Sequence, residues 1–361
     1  MSRRSARSTQ HKYANARERT ARPVAATRRR RRWSAAIAAV LVVVFALLAT
    51  DLARINGGIA RIRLDATGGT STDRTFLIVG TDSRAFVRDP STASHWGSAA
   101  EVPGERADML AYIRIPRGRR PQLMAIPRDL VVSVRGNGEQ RIGLTLTRGP
   151  QLLVDTLCDA VGLPVDHIVI VDFLAFRKLV AAAGYIEVTS DVAIRDRVSG
   201  LNIERPGTHR LDQDQALSYV RSRQASILDA QGNWVPEPDA SEHRVDRQRR
   251  ALGALAARRG AFSGLIGLRR AAKAADGSTR IDRGFGLSEA LTLRRALGAI
   301  DDPATNTELR VRYVDGAIPQ AYFTAESGAD LASIGAGATR DCPLPPTVSA
   351  QTARALEAVR P

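Results

Sequence analysis

The chain has few of the residues from which metal and nucleophilic sites are usually made. Its 361 residues include two cysteines and five histidines. Cys158 and Cys342 are too few for a Cys-rich zinc module or a disulfide-dense scaffold. His95, His167, His209 and His243 are scattered and His11 lies in the N-terminal tail, so no zinc-ligand spacing occurs. There is no GxxxxGK[ST] segment, which excludes a P-loop, and no Ser/His/Asp order that would mark a hydrolytic triad. Internal repeats are also lacking. The cysteines themselves stay open. Outside the cytoplasm they can pair, while Cys158, among Leu153, Val154, Leu157 and Val161, reads equally well as a buried thiol.

Positive charge is abundant: 53 Lys/Arg face 37 Asp/Glu, giving a net +16 and a pI near 11.0. Residues 1–32 hold twelve of the basic residues against the single acid Glu18, a surplus of 11, so the remaining 41 basic and 36 acidic residues carry only +5. A pI this high suggests a nucleic-acid partner. Most of the excess, however, sits in a tail with no helix-turn-helix pattern, so no nucleic acid is expected. The tail abuts residues 33–50 (WSAAIAAVLVVVFALLAT), which carry no charge and can be extended past Asp51 by Leu52 and Ala53. About 20 apolar residues cross a bilayer, and the basic flank places the N-terminus in the cytoplasm. A leader this long with no clean A-x-A site argues against a cleaved signal peptide. The expected organisation is a cytoplasmic tail at 1–32 and one transmembrane helix at 33–53. A Gly/Thr/Ser/Arg-rich stalk follows at 54–72, then an extracytoplasmic domain at 73–338 and a loose Pro-rich tail at 339–361.

Within the domain, strands and helices alternate. Residues 76–79, 109–115, 122–126, 167–171 and 186–188 are apolar runs of strand length. Gly149-Pro150 opens a helix stopped by Gly162, and Asp172 caps another carrying Phe173, Phe176, Leu179 and Val180. Asp212 and Gln215 form a capping-box pattern. Ser241 starts a longer helix, residues 261–300 read as mainly helical, and 309–313 as a late strand. Residues 86–106 read as a long loop. The fold class is therefore α/β, a layered domain with a central mixed sheet flanked by helices, preceded by one transmembrane helix.

Polar residues gather at the element ends, where such a domain exposes its sites. Asp82 and Arg84 follow the first strand, Asp108 directly precedes the second, and Arg128 and Asp129 follow the third. Arg221 and Arg223 end the capped helix and share a face only where the segment is extended. Arg244, Arg247 and Gln248 are spaced i, i+3, i+4 on the next helix, three donors on one side. Arginine matches phosphate oxygens in a fork geometry and stays charged, and these motifs contain no lysine. Aspartates in such a nest repel a phosphate unless a cation bridges them, so Asp82 and Asp108 point to Mg²⁺ (or Mn²⁺) shared with ligand oxygens.

The ordered motifs GTDSR, RAD, IPRD, GPQLLVDTL, PVDHIVIVDF, GTHRLDQDQALSYVRSR and RVDRQ resemble the LytR-CpsA-Psr family of cell-wall glycopolymer transferases, over about residues 74–258. The resemblance implies a donor polymer, such as teichoic acid or arabinogalactan, on a polyprenyl-pyrophosphate carrier. The acceptor would be peptidoglycan, and the enzyme a single-pass membrane phosphotransferase. Carried over by motif, Asp82 and Asp108 would hold Mg²⁺. Arg84, Arg128, Arg221, Arg223, Arg244, Arg247 and Gln248 would bind the pyrophosphate, with Asp82 or Asp129 as the base. The prenyl tail would lie in an apolar tunnel, for which Phe173, Phe176 and Leu153 are candidates that core packing explains better. Some positions depart from the family pattern: Gly143 stands where Asn is usual, Ile168 and Ile170 replace Tyr and Glu, and Tyr185 replaces Gly. A non-catalytic prenyl-pyrophosphate binder, a membrane-bound regulator and a pyrophosphatase are the alternatives.

Overall fold

Residues 76–79 lie in a strand whose side chains are buried on both faces, the burial that a continuous apolar run needs. The computed structural model describes residues 58–67, 73–83, 104–297, 306–314, 319–337 and 342–344. In chain order, β1 (Ala60–Ile62), β2 (Arg74–Thr81), β3 (Ala107–Ile115) and β4 (Gln122–Ile126) precede the hairpin β5 (Val131–Val134) and β6 (Gly138–Arg141). A 3-10 stretch, Ile142–Arg148, leads to α1 (Pro150–Val161), then β7 (His167–Asp172), α2 (Phe173–Ala183) and β8 (Ile186–Ser190). Next come β9 (Ile194–Asp196), β10 (Leu201–Ile203), β11 (Gly207–Leu211), α3 (Gln213–Arg221), β12 (Ser226–Leu228) and β13 (Trp234–Pro236). The chain continues through α4 (Ala240–Ala257), α5 (Gly264–Ala275), β14 (Thr279–Asp282) and α6 (Leu287–Leu297). It closes with β15 (Asn306–Glu308), β16 (Val311–Val314), β17 (Gln320–Phe323) and α7 (Ala325–Ser333).

Seven strands form the central sheet in the order β1-β14-β7-β2-β3-β4-β15. It is mixed: β1/β14, β7/β2 and β4/β15 run parallel, and the other neighbours antiparallel. One face is filled. Leu77, Val79, Leu110, Tyr112, Ile168 and Ile170 pack there with Leu153, Val154 and Leu157 of α1. The opposite face carries Phe76, Ile78, Ala111 and Ile113, against Phe285 and Leu293 from the α6 region. A smaller sheet, β10-β9-β12-β13, flanks α3 and α4.

The caps read from the sequence are formed. The Asp172 carboxylate accepts from Ala175 N (2.8 Å), and Asp212 and Gln215 complete a reciprocal capping box. Gly162 ends α1 at φ 77°, and a Cβ there would meet Gly337 N at 3.2 Å, so its lack of a side chain serves both turn and packing.

The structure corrects several expected boundaries. Part of the expected stalk belongs to the domain: β1 pairs with β14, and Asp65 and Thr67 bond to Gln151 and Val165. Nothing local signals this, because the partner strand is more than 200 residues away. β14 itself, TRID, falls inside the stretch expected to be mainly helical and has no apolar run to betray it. Of the late strand expected at 309–313, only residues 311–313 are in a strand, β16; Leu309 and Arg310 lie between it and β15, which was not expected. At the other end Cys342 forms a disulfide with Cys158, and Leu344 packs on the core, so the expected tail begins tied down. The expected cytoplasmic tail and membrane span lie outside the described residues, as do most of the 86–106 loop and Arg84. Among the described residues, no helix is long and apolar enough to cross a membrane.

Candidate active site

The parallel pair β2 and β7 ends with Thr81 opposite Asp172, and the polar residues collect around that end. Asp82, just past β2, accepts from Arg106 N at 2.8 Å. Asp108, in β3, is bonded by Arg128 Nη1 and, at 2.6 Å, by Arg223 Nη2. Asp129 accepts from Arg128 Nε (3.3 Å), Arg141 Nη1 (3.2 Å) and Arg244 Nη2 (3.2 Å). Four guanidiniums therefore surround two carboxylates. Asp129 is 3% exposed, Asp108 8% and Arg244 4%, so the inner part of this cluster is little screened by water, while Arg223 is exposed at its rim.

Charge and burial shift these groups in a consistent way. Burial raises the Asp82 carboxyl above its ordinary value, and the nearby charge of Asp108 raises it further. Burial pushes Asp108 the same way, but Arg128, Arg223 and Arg244 outweigh it and hold the carboxyl low. Arg244 is brought down to about 10, first by burial and then by repulsion from Arg128 and Arg223. Its buried Nε has no hydrogen-bond partner among the described residues. Arg247 and Arg258 carry the same orphaned Nε, so what singles this mouth out is its surplus of positive charge, the arrangement an anion completes.

Behind this mouth lies a cavity of about 360 Å³, lined by polar Asp108, Arg221, Arg223, Arg244 and Gln248 and walled by Ile78, Phe173, Phe176, Leu252, Leu255 and Phe285. Of the three tunnel candidates, Phe173 and Phe176 line it, whereas Leu153 is fully buried on the filled face of the sheet. Arg221 stacks over Phe173, its guanidinium carbon 5.1 Å from the ring centroid. Ser222 has φ −58° and ψ 126°, so the segment is extended past α3 and both Arg221 and Arg223 reach the cavity.

The i, i+3, i+4 triplet divides. Arg244 and Gln248 line the cavity, and Gln248 Nε2 donates to Val220 O (3.3 Å). Arg247 is turned away: it binds both oxygens of Glu237 (2.8 and 2.9 Å) and Ser222 O (3.1 Å). Arg247 thus fixes the segment bearing Arg221 and Arg223 and does not face the cavity. Successive helical positions turn by about 100°, so Arg247 and Gln248 fall on either side of Arg244.

Sequence reasoning missed Asp196. Its carboxylate accepts five hydrogen bonds: Val198 N (2.9 Å), Ser199 N (3.1 Å), Ser222 Oγ (2.9 Å), Arg223 N (2.9 Å) and Gln224 N (3.1 Å). Burial raises this carboxyl, but the hydrogen bonds outweigh that and bring it to about 2. It pins the backbone that carries Arg223. Asp172, at the cavity edge, is pushed up to about 6 by burial, against the backbone bonds of Ala175 and Leu174. Gly143 explains one family departure. Its backbone packs so closely on Ala107 O and Arg128 that a Cβ would sit 2.7 Å from the former, and Gly143 N donates to Arg128 O (2.9 Å). Ile168 and Ile170 are core residues of β7, and Tyr185 stacks under Arg210 and Arg258.

No group of three or more His, Cys, Asp or Glu among the described residues holds a metal unaided. Asp82 and Asp108 nevertheless interact closely enough to raise Asp82. Mg²⁺ binds through few protein oxygens and completes its shell with water and phosphate, so Asp82 and Asp108 are the residues that would hold it, with Asp108 sharing oxygens that already accept from Arg128 and Arg223.

The comparisons with known proteins agree with this geometry. The probable cell wall biosynthesis protein LcpB of Corynebacterium glutamicum is 31% identical over 194 residues, 52% of this chain and 45% of that protein. TagT of Bacillus subtilis, a polyisoprenyl-teichoic acid–peptidoglycan teichoic acid transferase, is 29% identical over 180 residues, 48% of this chain and 52% of that protein. The chain thus spans about half the length of these curated relatives. The solved LytR-Csp2A-Psr enzyme from Actinomyces oris superposes with a TM-score of 0.62 at 28% identity, covering 77% of this chain and 96% of that one. The LytR_cpsA_psr family model matches residues 61–326, nearly the whole described domain, and the chain belongs to that family.

Proposed function

We propose that the chain is a membrane-anchored, Mg²⁺-dependent phosphotransferase that moves a glycopolymer from a polyprenyl-pyrophosphate carrier onto peptidoglycan. The observation that carries this reading is the continuity of an arginine-rich mouth with an apolar cavity of about 360 Å³. A ligand with a dianionic head and a hydrocarbon tail matches both parts; a water-soluble phosphate needs only the first. The relatives named above act in cell-wall synthesis, and TagT by its name joins teichoic acid to peptidoglycan.

In this reading the acceptor sugar hydroxyl attacks the phosphorus that carries the polymer. The bond from that phosphorus to the bridging oxygen breaks, and prenyl phosphate leaves. Such transfers need alignment and charge stabilisation more than covalent help. Arg221, Arg223 and Arg244 face the cavity and hold phosphate oxygens, while Arg128 and Arg141 balance Asp129. Asp82 and Asp108 would hold the cation, which when bound supplies positive charge to the pyrophosphate. Asp129 accepts from three guanidiniums, whereas Asp82 is bonded at Oδ1 by Arg106 N and is the less engaged of the two candidate bases.

Full-length protein with a lipid-linked oligosaccharide donor and peptidoglycan tests the proposal. Prenyl phosphate should be released only when acceptor is present, and Arg223→Ala and Asp82→Ala should each slow release at least ~100-fold without changing the unfolding temperature. Wild-type turnover by Asp82→Ala would overturn the site. Release to water alone would indicate a pyrophosphatase. Deletion of residues 2–27 should leave transfer intact, an outcome a tail-dependent regulator would not give.

A further inference from the structure

The start of the fold and the polar mouth lie at the same end of the central sheet. Gly277 N donates to Gly58 O (3.1 Å), Ala60 pairs with Arg280, and Asp172 N donates to Ser278 O (3.2 Å). Asp172 in turn lies opposite Thr81, next to Asp82. Gly58, Ser278, Asp172 and Asp82 therefore follow one another across β1, β14, β7 and β2, a lateral distance of about 14 Å at three strand spacings. The helix that ends just before Gly277 is α5, and Arg269, Arg270 and Lys273 are exposed on one of its sides. Arg294 and Arg295 are exposed on α6, and both Ala271 of α5 and Arg294 of α6 border the apolar cavity.

This surface is cationic after its acids are counted. Between residues 264 and 297 there are seven Lys/Arg against Asp276, Asp282 and Glu289. Asp282 is buried with His167, and Glu289 is engaged by Ser288 and Gly286 N. Asp276 is the exposed acid, at the C-terminal end of α5, and Arg280 is paired with Glu105.

We propose that the exposed basic side of α5 binds the anionic headgroups of a lipid bilayer, so that the cavity takes up its lipid-linked ligand from that surface. The proposal rests on the reading of residues 33–53 as a membrane anchor. In the sequence only residues 54–57 separate that span from Gly58, whose carbonyl accepts from Gly277 N just past the end of α5. Anionic lipid attracts clustered Lys and Arg and loses that attraction in high salt.

The test uses full-length protein in nanodiscs of phosphatidylcholine, alone or mixed with phosphatidylglycerol. Amide exchange in α5 should slow at least ~3-fold in the mixed discs at low salt and lose that protection at high salt. The double variant Arg270→Glu, Lys273→Glu should exchange equally in both discs and turn over donor at the wild-type rate in detergent, where no bilayer exists. Equal exchange of the wild type in both lipids overturns the proposal, as does a protein that alkaline carbonate washes from membranes. If wild-type protein shows lipid-dependent protection but no turnover in detergent, it is the transferase reading that fails.

Discussion

Arg244 and Arg247 sit one turn apart on α4, both nearly buried, yet they belong to different kinds of charge cluster. Arg244 shares Asp129 with Arg128 and Arg141, and burial, then repulsion from Arg128 and Arg223, brings its own pKa down to about 10. Arg247 meets Glu237 through two short bonds, and His243 Nδ1 approaches the same carboxylate at 3.1 Å. The first cluster holds four guanidiniums to two carboxylates, while the second pairs one buried guanidinium with one buried carboxylate. A cluster neutral within itself is held for the fold's sake. One left positive in a low-dielectric mouth is completed from outside, and there the difference between scaffold and site becomes visible.

The largest effect should come from breaking the balanced cluster. Arg247→Met leaves the Glu237 side chain, 5% exposed, without its guanidinium, which should cost about 3–5 kcal/mol in urea unfolding. Arg244→Met leaves Asp129 with Arg128 and Arg141 and removes a repelled charge, so no buried charge is left unpaired and its cost should be well below that of Arg247→Met. Its loss should appear in donor binding. Equal destabilisation by the two variants would erase the distinction.

A middling effect is expected from the carboxyl at the cavity edge. Asp172, pushed up to about 6 by burial, holds its proton more tightly in the folded than in the unfolded chain. Its contribution is therefore most favourable below the unfolded value near 3.8, declines as pH rises, and is fully lost above about 6. Asn caps a helix as well as Asp. Asp172→Asn should thus stabilise the protein by about 2 kcal/mol at neutral pH and by nothing near pH 3.5, read from unfolding curves at the two pH values. A variant that gains equally at both would place the cause elsewhere.

How much of this was legible in the sequence depends on how far each partner lies along the chain. Asp82, Asp108, Arg128, Arg221 and Arg223 could be found because they flank apolar runs, and strand ends are where side chains meet a ligand. The division between Arg244 and Arg247 could not, since both fit the same helical spacing and Glu237 follows β13, a strand of three residues. Asp196 was invisible for the same reason: three of its five donors lie 26 to 28 residues away. Phe176 and Leu153 follow like helical patterns, yet one borders a cavity and the other fills a core. Helix period reports an inward face, not whether the space behind it is full. The short strands β1 and β14 find each other across the whole domain, so neither carried a local signal.

The smallest effect is also the most selective. A cluster short of negative charge should bind a small anion and be stabilised by mass action, whereas a balanced one should not. Inorganic pyrophosphate at ten times its dissociation constant adds about 1.4 kcal/mol to the stability of whatever state binds it, a rise of a few degrees in unfolding temperature. Arg244→Met should abolish that rise, because it removes one of the guanidiniums facing the cavity. Arg247→Lys, which keeps a cation beside Glu237, should lower the starting temperature and leave the rise in place. Mg²⁺ added with the pyrophosphate should increase the rise in the wild type and not in Asp82→Asn, since only paired carboxylates give the cation a footing. Were the pyrophosphate shift to follow Arg247 instead of Arg244, the two clusters would have to exchange roles.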